Sequence, residues 1–154
     1  MKLAIVAIGR LGRGPEAELV ATYVDRATAA GRALGLGPVE MIEVEARKPG
    51  KAAEAEALAG HFADTHLIAC DEHGQALASR AFAAEIGRLR DQGVRRLAFA
   101  IGGADGLDER ILSTAARKLA FGPQTWPHAL ARVMLAEQIY RAVTILGGGP
   151  YHRD

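Results

Sequence analysis

The stretch KLAIVAIGRLGRGP, residues 2–15, decides the fold class. After Lys2, residues 3–8 are a continuous apolar run, the pattern of a strand buried on both faces. A turn holding Gly9, Gly12 and Gly14 ends the run, and Pro15 stands where a helix tolerates a missing N–H. Beyond it Leu19, Val20, Tyr23, Val24 and Ala27 keep helical spacing. Buried strand, glycine turn and amphipathic helix make the first βα unit of a parallel sheet.

The alternation continues along the chain. Strands are expected at 39–44, 66–70, 97–102 and, as a short run, 119–121. An alanine-rich helix is expected over 51–62, and Ser79 can cap a helix with Phe82, Ile86 and Leu89 on one face. Further helices are expected from about Asp108 and over 128–145. The 154 residues, 49% hydrophobic and 24% charged, suit one soluble domain, 1–154, with no linker or repeat. The fold class is therefore α/β: a mostly parallel sheet flanked by helices. Ligands of such sheets sit beyond the carboxyl ends of the strands, in loops 9–14, 45–51, 71–78, 102–107 and 122–127.

Composition excludes several classes. The opening MKLAIVAIGR lacks the length and cleavage site of a secretory leader, and no run approaches the roughly 18 apolar residues that span a bilayer. No membrane partner is expected. The single Cys70 cannot pair within the chain, which fits the cytoplasm, and its apolar setting suits a buried, inert thiol. Residues 1–78 hold eight basic and eleven acidic side chains, net −3; residues 79–154 hold eleven and seven, net +4. That modest basic bias fits either ordinary solvated surface or a nucleic-acid partner.

Candidate chemistry gathers in the second half. The five histidines, His61, His66, His73, His128 and His152, show no metal-ligand spacing, so no metal is expected. GRLGRG (9–14) lies where a dinucleotide fingerprint would lie, but its glycines are spaced G-x-x-G-x-G, and Glu43 and Glu45 come late for a ribose-binding acid. GGADG (102–106) permits either a structural turn or a close backbone approach to a ligand. GPQTWP (122–127) is stiffened by its two prolines, and its Trp126 is either a core anchor or a platform for an aromatic ligand. On the last helix His128 and Arg132 share a face. Glu137 and Arg141 form an i,i+4 pair nearly opposite, either a surface bridge or a buried, interfacial one. The chain ends on PYHRD (150–154) after three glycines, with a phenol, an imidazole, a guanidinium and two carboxylates in four residues.

IGGADGL (101–107), TWPHALARVMLAEQIYRA (125–142) and the terminal PYHRD, with KLAIVAIGRLG at the start, resemble the RlmH methyltransferases over the whole length. These are small SPOUT-class enzymes that methylate N3 of a pseudouridine in large-subunit ribosomal RNA. The resemblance implies a C-terminal trefoil knot, a rare feature that no sequence pattern shows. It also implies a homodimer, S-adenosylmethionine as methyl donor, and the ribosome as partner.

Carried over by position, the resemblance implies a cofactor cleft using Cys70, Gly103 and the loop Gly122, Pro123, Gln124, Thr125, Trp126 and Pro127. The family commonly has an apolar residue at Cys70, and serines and leucines around Gly122, Pro123 and Trp126. It often has His at Gly149 and ends in Glu rather than Asp154. Backbone contacts survive such changes. The tail is implied to fold over the donor's methyl group. His152 would accept the N3 proton, Arg153 would stabilise the charge left on the flanking carbonyls, and Tyr151 would stack on or hydrogen-bond the base. His128 is the rival base. Arg132, Glu137 and Arg141 are candidates for RNA or interface contacts. A sulfonium donor needs no metal. The competing functions are a non-catalytic RNA- or ribosome-binding module of the same fold and a nicotinamide-dependent enzyme using GRLGRG.

Overall fold

The computed structural model describes residues 1–152. In chain order it contains β1 (Lys2–Ile8), α1 (Pro15–Gly31), β2 (Val39–Val44), α2 (Lys51–Ala59) and β3 (His66–Ala76). There follow α3 (Ser79–Asp91), β4 (Arg96–Ile101), α4 (Glu109–Leu112), β5 (Arg117–Ala120) and α5 (His128–Leu146). The five strands form one sheet in the order β2-β1-β4-β3-β5, and every pairing is parallel. No helix of the described residues is long and apolar enough to cross a membrane.

The near-continuous apolar strands are explained by burial on both faces. Leu3, Ile5 and Ala7 of β1, with Leu97, Phe99 and Ile101 of β4, pack under α1, α3 and α5. Their alternates Ala4, Val6 and Ile8, with Ala98 and Ala100, pack under α2 and α4. The second face is lined by smaller side chains, so its helices lie on a shallower surface. Phe99 and Phe82 meet with ring centroids 5.8 Å apart, an attractive tilted geometry.

Three elements differ from the sequence expectation. The segment 71–76 is not loop: β3 shifts register between Cys70 and Gln75 and continues beside Leu119 and Ala120 of β5. Ser79 does not cap α3, because Ala78 holds the cap position. The Ser79 hydroxyl donates instead to Gln138 Oε1 on α5, at 2.7 Å. The helix after Asp108 is a single turn, with Asp108 Oδ1 accepting from Arg110 N at 2.9 Å.

The register shift depends on Gly74. A Cβ there would lie 2.6–2.7 Å from the backbone of Lys118 and Leu119, closer than two strands can accommodate without moving apart. Gly74→Ala should therefore cost about 1–3 kcal/mol, as overpacking does. At roughly 2–4 °C per kcal/mol for a chain of this size, calorimetry should record the loss as a lower Tm.

Candidate active site

A cleft of about 840 Å3 opens at the carboxyl edge of the sheet, a volume suited to a small-molecule cofactor. The bulged part of β3, the loop after β4, the end of β5 and the first turn of α5 form its walls. It gathers Cys70, Gly103, Gln124, Thr125, Trp126, Pro127 and His128 from distant parts of the sequence. Gly122 and Pro123 belong to the same connection but do not line the cleft; Gly122 lines a separate apolar groove.

Each wall has an identifiable anchor. The loop after β4 closes on itself, with Gly106 N donating to Gly103 O at 3.1 Å. It closes only because Gly102 has no side chain: a Cβ there would meet Gly106 and Leu107 backbone atoms at 2.5–2.8 Å. A Cβ at Gly103 would sit 2.8 Å from the Glu54 carboxylate of α2, so what Gly103 offers the cleft is backbone. The loop before α5 is pinned twice. Trp126 Nε1 donates to Phe121 O at 3.0 Å, and Thr125 Oγ1 donates to Glu72 Oε2 at 2.5 Å. Trp126 is 40% exposed, so it is not a core anchor.

Burial pushes the Cys70 thiol up to about 12, so it stays protonated and serves as wall rather than nucleophile. The charged residues of the lining are Asp71, Glu72, Asp105 and Glu109 against Lys51 and Lys118. That excess of carboxylates favours a cationic ligand.

His128 begins α5, and its Nδ1 lies 3.4 Å from Nη2 of Arg132 one turn on. Arg132 is completely buried, which removes it from any RNA or partner surface. Its Nη1 donates to Gly9 O at 3.0 Å, its Nη2 donates to Ile8 O, and Glu43 Oε1 lies 3.5 Å away. Burial lowers its pKa and the Glu43 carboxylate opposes the shift.

The described part of the tail lies elsewhere. Tyr151 and His152 do not line the cleft. After Leu146 the glycine run reverses the chain, with Gly149 N donating to Thr144 O at 2.8 Å. Tyr151 then lies along α5, its ring 4.5 Å from that of Tyr140 and beneath the Arg141 guanidinium at 5.0 Å. Its hydroxyl donates to Glu137 Oε1 at 3.0 Å. Burial first, then hydrogen bonding with Tyr23 and Glu137, raises the phenol pKa, so Tyr151 stays protonated. Glu137 also accepts from Arg141 and Gln138, and the Glu137–Arg141 bridge is largely covered rather than a surface pair. His152 Nδ1 is buried without a partner among the described residues. Arg153 and Asp154 lie outside the described residues. Sequence reasoning missed Glu72, Ser79, Gln138 and Tyr140.

Residues 1–152 match the family model described as predicted SPOUT methyltransferase. The chain belongs to the SPOUT methyltransferase family. It is a methyltransferase whose methyl donor is S-adenosylmethionine. It is 75% identical over all 154 residues to the ribosomal RNA large subunit methyltransferase H of Phenylobacterium zucineum, covering 100% of both chains. It is 68% identical to the protein of that name from Caulobacter sp. strain K31, again with full coverage of both. Among solved structures, a probable methyltransferase from Bordetella pertussis Tohama I aligns with TM-score 0.54 and 18% identity, covering 92% of this chain and 96% of that one. This last likeness concerns the fold alone.

The cleft fits such a donor, a net cation with a sulfonium and an ammonium, through its carboxylates and the side-chain-free backbone of its glycine loop. Because Thr125 fixes the wall that would enclose the donor, Thr125→Val should weaken S-adenosylmethionine binding about three- to tenfold. That corresponds to one exposed, charge-assisted hydrogen bond. Titration calorimetry should show this while the Tm stays nearly constant.

Proposed function

We propose that this methyltransferase modifies N3 of a pseudouridine in large-subunit ribosomal RNA, working as a homodimer in the cytoplasm. The observation that carries the reading is the full-length identity to relatives named as large-subunit ribosomal RNA methyltransferases. The donor supplies an electrophilic methyl group, and the chain's task is to hold the base beside it and remove the N3 proton. The cleft, through loops 102–107 and 122–127 and the Cys70 wall, is the cofactor site.

N3 of a pseudouridine is a poor nucleophile until its proton leaves. An imidazole is suited to accept it, and the Nδ1 of His152, buried in the single chain, is committed to no hydrogen bond among the described residues. Arg153 then neutralises the charge on the flanking carbonyls. His128, already in the cleft but beside a cation, is the alternative acceptor. Tyr151 would serve through its ring, since its hydroxyl is committed to Glu137.

Tyr151 and His152 do not line the cleft of their own chain, which supports a two-chain site. An apolar groove of about 420 Å3, lined by Leu19, Tyr23, Phe82, Phe121, Val133 and Met134, runs beside the Glu137 cluster. A second copy seated there would cover Leu19, which is 45% exposed, and present its tail to the neighbouring cleft. Sedimentation at micromolar concentration should show a dimer; a monomer would remove this arrangement.

The tail chemistry is tested separately. His152→Ala should lower methyl transfer to ribosomal RNA by roughly 10²–10⁴, the range for losing a general base, with cofactor affinity unchanged. A near-wild-type rate would move the role to His128. Cofactor binding without any methyl transfer by the wild-type protein would favour the non-catalytic RNA-binding module.

A further inference from the structure

Five of the eight basic side chains in the net-acidic half 1–78 lie on two short loops, 9–14 and 45–51: Arg10, Arg13, Arg47, Lys48 and Lys51. Glu45 is the single acid in those loops. β1 and β2 pair in parallel to their last residues, Ile8 beside Val44, and Gly9 N donates to Val44 O at 2.8 Å. The two loops therefore leave the sheet side by side, on the same carboxyl edge as the cofactor cleft. Lys51, at the start of α2, also lines that cleft, so the basic ridge runs up to its mouth.

Four of the five cations of the ridge are in no ion pair among the described residues. Arg10 pairs with Glu45 at 3.3 Å, both side chains being well exposed. Arg13, Arg47, Lys48 and Lys51 are exposed and make no ion pair among the described residues. The nearby Glu43 is already engaged by Leu11 N at 2.8 Å and by Arg132. Glu16 and Glu18 on the first turn of α1, Glu54 on the first turn of α2 and Asp108 near Lys51 reduce the local charge, but the two loops themselves carry five cations against one acid. Fully solvated cations contribute little to folding, so this concentration has no structural explanation.

We infer that the ridge formed by loops 9–14 and 45–51 binds the phosphodiester backbone of the substrate RNA beside the target nucleotide. The inference rests on the RNA-methyltransferase reading and adds where the RNA lies. Division of charge along the edge supports it. The cleft has an excess of carboxylates suited to a cationic donor, and the ridge has an excess of cations suited to a polyanion. Phosphate contacts of this kind orient a nucleic acid without reading its sequence.

The test measures binding of wild-type and variant protein to protein-free large-subunit ribosomal RNA across a salt series, without cofactor. The variant carries Arg13→Gln, Arg47→Gln and Lys48→Gln, which leaves the cleft lining intact. Each phosphate contact contributes about 0.7 to the slope of log affinity against log salt for single-stranded RNA. The slope should therefore fall by about 2, with weaker binding at low salt and convergence at high salt. Arg13→Lys, Arg47→Lys and Lys48→Arg together should restore it. A control with Arg26→Gln, Arg32→Gln and Arg95→Gln, exposed cations outside both loops, should keep the wild-type slope. An unchanged slope in the ridge variant, an equal fall in the control, or no RNA binding by the wild-type protein each overturns the inference. Methyl transfer and cofactor affinity are measured separately, so loss of catalysis with intact ridge binding would count against the enzyme reading alone.

Discussion

The guanidinium of Arg132 is the fixed point around which the rest of the site is arranged. It is wholly buried, yet it holds the carbonyls of Ile8 and Gly9 at the end of β1 and faces Glu43 of β2. Taking a cation out of water is costly, and its Nε has no hydrogen-bond partner, so this contact is not a cheap source of stability. What it secures is position. It fixes the first turn of α5 against the carboxyl end of the sheet, and that turn carries His128 and terminates the loop that forms one wall of the cleft. Losing the side chain would leave two carbonyls and a carboxylate facing one another.

From that fixed point α5 runs between α1 and α3, and its far half supports a second cluster. Glu137 receives hydrogen bonds from Gln138, Arg141 and Tyr151. Tyr151 packs on Tyr140, which packs in turn on Tyr23 of α1. One helix thus presents a cofactor-side end and a tail-side end. They lie on different parts of the surface because about 9 residues, at 1.5 Å each, separate His128 from Glu137. That separation of the two ends is in keeping with the proposed two-chain site.

The carboxyl edge divides electrostatically in the same manner. Parallel strands deliver all their following loops to one edge, so every ligand of the reaction must be accommodated there. The acidic excess around β3 and β4 and the basic excess after β1 and β2 separate a cationic small molecule from a polyanionic substrate.

The sequence by itself determined the layered α/β class, the parallel sheet and nearly every strand, because apolar runs bounded by glycines report burial that depends on local pattern. Strand β3 was legible only to Cys70: its continuation to Ala76 is polar, and it is a strand because β5 supplies partners and Gly74 lets the backbones approach. The residues of the cleft were legible through their motif, as loops with glycine and proline at strand ends. Tertiary structure alone decided which of them meet. Ser79 had the composition of a cap and became a link to Gln138. Arg132 had the composition of a surface group and became the most deeply buried cation among the described residues. Tyr151 stood in a tail with the composition of an active site and docked on Tyr140 and Glu137. In each case a polar side chain took the partner that folding placed within about 3 Å, and that choice rests on residues far apart in sequence, which no local pattern encodes.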